Sequence, residues 1–126
     1  MKILFVCVEN AGRSQMAEAF AKRRGLSALS AGTLPATTIN RVVVDAMMER
    51  GIDLSVNIPK MLTIKMVEDA DLVVTMGCSV EEVCPAPIIA KTHKKLVDWN
   101  LEDPKGKPIE RARQIRDEIE RKVAEL

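Results

Sequence analysis

With 126 residues and 47% hydrophobic content, the chain has enough material for one domain with a genuine core and too little for two. Its 19 basic and 18 acidic residues leave a net charge of +1, which gives no electrostatic basis for nucleic-acid or anionic-membrane binding as a main activity. No apolar stretch is long enough to span a bilayer and the first residues read as a strand, so a cytoplasmic protein is expected, whose three cysteines suit reactive thiols better than a disulfide framework. In chain order, Ile3 to Val6 form an apolar strand that stops at Cys7. Gln15 to Arg24 follows as a helix, with Met16, Ala17, Phe20 and Ala21 on one face and Gly25 behind its basic last turn. Leu26 to Ala31 reads as a strand ending at Gly32. Thr38 is placed to cap a second helix running to Arg50, with Ile39, Val43, Ala46 and Met47 inward. Thr63 caps a short helix, Asp71 to Met76 is a buried strand closed by Gly77, and a last strand lies within Lys95 to Trp99. Pro108 opens a C-terminal helix whose Ile109, Ala112, Ile115, Ile119, Val123 and Leu126 form one stripe, with Asp117 paired to Arg121 on its surface.

Strands alternating with helices predict a single three-layer α/β domain over residues 1–126, flavodoxin-like, with a mainly parallel four-stranded sheet and helices on both faces. Ligands of such folds bind beyond the carboxyl ends of the strands, which makes residues 7–14 the most informative stretch. Cys7 and Arg13 enclose five residues, Val8, Glu9, Asn10, Ala11 and Gly12. Asn10 and Gly12 tolerate left-handed backbone, so these amides can curl around an anion. The helix opening near Ser14 contributes the positive end of its dipole, and the Arg13 guanidinium is a planar donor matched to a tetrahedral oxyanion. Together they favour a nucleophilic thiolate at Cys7. The bland alternative is a small core hydrophobe at a strand end.

Two further features fall at the same predicted edge. Cys78 and Cys84, six positions apart and bounded by Gly77 and Pro85, fit a thiol pair on a short helix or loop, the alternative being two unrelated cysteines. Zinc is disfavoured on ligand count, since a closed site of four would have to recruit both Cys7 and His93, the only other soft candidates, and His93 in its basic loop reads as a solvated residue. No metal or cofactor is expected. Asp103, stiffened by Pro104, follows the last strand and is placed to protonate a leaving oxygen.

The pattern Cys7, Asn10, Arg13-Ser14 resembles the phosphate-binding loop of the low-molecular-weight protein tyrosine phosphatases and of the thioredoxin-coupled arsenate reductases of that superfamily. The resemblance implies the low-molecular-weight phosphatase fold, with Ser14 stabilising the thiolate, Asn10 holding the loop and Asp103 as general acid. Glu9 departs from the pattern, since an acid in the loop opposes anion binding unless it points outward. The phosphatases typically carry Tyr after the Asp-Pro pair. This chain has Lys105-Gly106-Lys107 there and no Tyr anywhere, which together with Cys78 and Cys84 resembles the reductases along essentially the whole chain. The implied activity is reduction of arsenate to arsenite at Cys7, through a disulfide cascade over Cys78 and Cys84 recycled by thioredoxin. The alternatives are a phosphatase acting through a phosphocysteine and a non-catalytic oxyanion sensor. Expected partners are an arsenate or phosphate oxyanion and thioredoxin, with no nucleic acid and no membrane. In some such reductases an Asn, a Glu, a Ser and an Asp hold a potassium ion. Asn10, Glu18 and Ser30 match the first three and Lys60 falls at the fourth, so an ammonium is expected to replace the cation.

Overall fold

The apolar run after Met1 becomes the buried central strand β1 (Lys2–Cys7), with parallel neighbours on both sides. The computed structural model describes residues 1–77 and 95–126; Cys78, Cys84 and His93 lie outside the described residues. β1 pairs with β2 (Ser27–Gly32) and β3 (Leu72–Thr75), and β3 pairs with β4 (Leu96–Asp98), giving the order β2-β1-β3-β4. Every pairing among the described strands is parallel, not only most of them. The register sets Cys7 beside Gly32, Val6 beside Thr75 and Thr75 beside Asp98, so all four strands end along one edge.

Alternation along β1 divides the core into two layers. Ile3, Phe5 and Cys7 join Met16 and Phe20 of α1 (Arg13–Arg23), Val43 and Met47 of α2 (Arg41–Met48), and Ile115 and Ile119 of a long C-terminal helix, α4 (Ile109–Ala124). Leu4 and Val6 face the other way, against Val67 of α3 (Ile64–Asp69) and Ala70. Helices therefore cover both faces. Phe5 also stacks at a tilt on Trp99, with ring centroids 5.7 Å apart. No helix among the described residues is long and apolar enough to cross a membrane.

Several local expectations change. α1 begins at Arg13, so Arg13 and Ser14 belong to its first turn instead of the preceding loop. Thr63 caps α3 as expected, its hydroxyl accepting from Met66 N–H. Thr38 does not cap α2. Asn40 does, accepting from Val42 N–H, because its own N–H is held by Ala11 O and fixes where the helix can start. The three consecutive valines are helical despite their strand propensity, with Val43 buried in the core. Asp117 is bound by Arg50 and Arg116 in place of Arg121, and Leu126 is 37% exposed, outside the core stripe.

A charged junction closes α2 onto α4. Glu49 accepts from Arg113 and Arg116, while Arg116 also donates to Ala46 O. Hydrogen bonds from Arg113, then from Arg116, bring the Glu49 pKa from 4.5 down to about 2. A depressed folded-state pKa means stability present above about 4.5 and lost as pH falls through about 2. Thermal melts followed by circular dichroism should therefore show Glu49→Gln with a lower Tm than the parent at pH 7, and the two Tm values should approach each other as pH falls across that interval.

Candidate functional site

The loop between β1 and α1 is shaped by where its carbonyls go. Val8 O accepts from Leu34 N–H (2.8 Å), Glu9 O from Ala36 N–H (3.0 Å) and Ala11 O from Asn40 N–H (2.9 Å). In a planar trans peptide the next residue's N–H points opposite to the carbonyl. The amides of Glu9, Asn10 and Gly12 are thus turned inward, and Asn10 N–H reaches Cys7 Sγ at 3.2 Å.

Asn10 holds this curl. Its φ of 51° is left-handed, and its fully buried side chain donates to Ser14 Oγ (2.7 Å) and accepts from Gln15 Nε2 (2.9 Å) and Lys60 N–H (2.8 Å). Gln15 is in turn held by Asn57. Ser14 Oγ lies 2.9 Å from Cys7 Sγ, in a contact where either atom can donate, and it also accepts from Asn10. The Asn10 amide and the Ser14 hydroxyl thus converge on one buried sulfur.

Arg13 is buried and rigidly posed. Its Nη1 donates to Met76 O (2.9 Å), Leu101 O (3.0 Å) and Gly77 O (3.3 Å), which leaves the Nε–Nη2 edge as the fork available to an anion. Nη2 stands 3.6 Å from Asp103 Oδ2. Asp103 is half-exposed, and its Oδ1 accepts from Lys105 N–H. The same loop is fastened by Pro104 against Gly12 and by a two-pronged bond from Arg111 to Glu102. Cys7, Glu9, Ala11, Gly12, Arg13, Asn40, Asp103 and Lys105 line one small pocket. A larger cleft of about 600 Å³ beside β2 contains none of these groups, so chemistry and not volume selects the site.

Beneath the loop, Lys60 Nζ lies 3.6 Å from Glu18 Oε1, so the ammonium does stand beside that buried carboxylate. Glu18 Oε1 and Ser30 Oγ are buried without a hydrogen-bond partner among the described residues. The Glu9 carboxylate binds the Lys105 ammonium at 2.7 Å, and both residues line the pocket above Cys7.

Sequence reasoning missed four supports. Gln15 and Asn57 extend the Asn10 network; for Gln15, polarity amid the buried face of α1 was the available signal. Asp98 accepts from Thr75 Oγ1 and Gly77 N–H, both at 2.8 Å, fixing the chain immediately before Cys78; the signal was a carboxylate closing an apolar strand at the ligand edge. Gly32 is required because a Cβ there would lie 2.5 Å from Val8 O and 2.9 Å from Asn10 N.

The site is thus a buried cysteine under an inward-facing amide cradle, at the carboxyl edge of a parallel sheet. The profile of the low molecular weight phosphotyrosine protein phosphatases matches residues 2–126, and the chain belongs to that family. A Halobacterium salinarum protein described as a candidate arsenate reductase is 41% identical over 133 residues, covering 99% of this chain and 89% of that one. Among solved structures, the thioredoxin-dependent arsenate reductase Cg_ArsC1' of Corynebacterium glutamicum is 37% identical with a TM-score of 0.76, covering 98% of this chain and 58% of that one. The low molecular weight protein tyrosine phosphatase of T. tengcongensis is 27% identical with a TM-score of 0.83, covering 98% and 95%.

Gly32→Ala should force the cradle outward at an overpacking cost of about 1–3 kcal/mol. Denaturant unfolding should show that loss, and inorganic phosphate should slow iodoacetamide alkylation of Cys7 less than in the parent.

Proposed function

We propose that this protein reduces arsenate to arsenite in the cytoplasm, with thioredoxin as the reductant. The observation that carries the proposal is the convergence of Cys7, Arg13 and Asp103 on one pocket. Two further cysteines follow the neighbouring strand in the sequence. Relatives named as arsenate reductases, one of them thioredoxin-dependent, support the choice of substrate and reductant.

Cys7 thiolate attacks arsenic, with the inward amides and the Nε–Nη2 edge of Arg13 on its oxygens. One oxygen leaves as water on taking a proton from Asp103, giving an S–As(V) adduct. Cys78 thiolate then attacks Cys7 Sγ. The S–As bond breaks, its electron pair stays with arsenic, and arsenite departs as a Cys7–Cys78 disulfide forms. Cys84 attacks Cys78, freeing Cys7 as thiolate and leaving a Cys78–Cys84 disulfide, which a thioredoxin dithiol reduces. Lys60, beside Glu18, takes the place of a potassium ion in supporting the loop.

A second reading, a phosphatase working through a phosphocysteine, needs only Cys7, Arg13 and Asp103, and the same convergence favours it. Thiol chemistry separates the two. Cys7→Ser should abolish both activities, and Asp103→Asn should lower turnover by ~10²–10⁴ with little change in oxyanion affinity. In a single-turnover assay Cys84→Ser should still release one arsenite, and mass spectrometry should find Cys7 linked to Cys78. Cys78→Ser should release none. Normal thioredoxin-supported turnover by Cys78→Ser would sink the cascade.

A further inference from the structure

The Lys105 ammonium and the Glu9 carboxylate meet at 2.7 Å in the pocket that also holds Cys7 and Arg13. Their depths differ. Cys7 and Arg13 are 3% and 4% exposed, whereas the Lys105 and Glu9 side chains are 66% and 36% exposed. The thiol therefore forms the floor of the pocket and the ion pair crosses its rim. Each end is tied into the site's backbone, since Glu9 O accepts from Ala36 N–H and Lys105 N–H donates to Asp103 Oδ1. The pair thus joins the cradle to the loop that carries Asp103.

An in-line attack from the floor expels its leaving group toward the rim, where Asp103 stands. From a free inorganic oxyanion that group is a single hydroxyl. From a phosphomonoester it carries a carbon skeleton, which has to pass through the space that the Lys105 and Glu9 side chains bridge. We propose that the Glu9–Lys105 pair is a specificity determinant that admits free inorganic oxyanions and disfavours phosphomonoesters. This rests on the reading of the pocket as an oxyanion site. The discrimination is steric, because an inorganic dianion and a monoester dianion carry the same charge. Pairing also explains how an acidic residue is tolerated in an anion cradle, as the ammonium cancels its repulsion.

The clasp is weak. Exposed ion pairs shift an equilibrium by about fivefold at most, so breaking this one should alter selectivity by about two- to fivefold. The test measures how inorganic phosphate and phenylphosphonate, a monoester mimic with no bond to cleave, slow iodoacetamide alkylation of Cys7. The ratio of their half-protecting concentrations, taken within each variant, cancels any general change in anion affinity or thiol reactivity. In the parent, phosphate should protect at the lower concentration. Lys105→Ala and Glu9→Ala should each narrow that gap by about two- to fivefold, and the charge-exchanged double variant, Glu9→Lys with Lys105→Glu, should restore it. Equal protection by the two anions in the parent, or a gap unchanged in both single variants, would overturn the inference and leave the oxyanion site standing. No protection by either anion would overturn the site and the inference together.

Discussion

A loop can offer its amides to an anion only when its carbonyls find donors elsewhere, because a buried unpaired carbonyl costs about as much as a lost hydrogen bond. Here those donors are the backbone N–H groups of Leu34, Ala36 and Asn40. The segment after β2 is consequently a mould for the cradle and more than a connection between β2 and α2. Its path explains two otherwise separate facts: Gly32 has no room for a side chain where the mould begins, and α2 starts at Arg41 where it ends. Asn10 closes the arrangement from inside, trading a left-handed backbone for four hydrogen bonds, three through its side chain and one from its N–H to the sulfur.

Patterns that depend on a single segment were legible. The apolar run of β1, the stripe of α4, the Thr63 cap and the glycine-bearing turn after Cys7 follow from local periodicity and turn chemistry. So did the ordering of elements, and with it the shared edge that brings Asp103 near Arg13. Partners that are distant in sequence were not legible. Thr38 and Asn40 are both acceptable caps, and only the bond from Asn40 N–H to Ala11 O decides between them. Asp117 had a suitable partner one turn along its own helix, but packing of α2 on α4 offered Arg50, and Arg116 lay alongside. Glu9 looked like a liability because Lys105 is 96 positions away, and no local pattern pairs the two.

Arg13 illustrates how positioning is achieved with backbone alone. Three carbonyls from two chain segments hold one of its terminal nitrogens, which fixes the guanidinium plane before any anion arrives. Ordering a long side chain in advance removes an entropy cost that binding would otherwise bear, on the order of 0.5–1.5 kcal/mol for such a side chain. Because the segment leading toward Cys78 supplies Met76 O and Gly77 O, the binding charge and the start of that segment are mechanically one unit. Asp98 pins the same segment through Thr75 Oγ1 and Gly77 N–H.

The reach of these bonds bears on biosynthesis. Cys7 is made before its supports: the loop around it depends on Lys60, and Arg13 depends on Leu101, 88 positions downstream of it. At ~5–20 residues per second, the nascent thiol waits roughly 5–19 s for Leu101 to be made. During this interval it is an ordinary cysteine on an unfolded chain, without its amide cradle or its posed arginine. Reactivity is thereby withheld until Leu101 has been made, a safeguard that follows from placing the nucleophile upstream of the residues that pose its arginine.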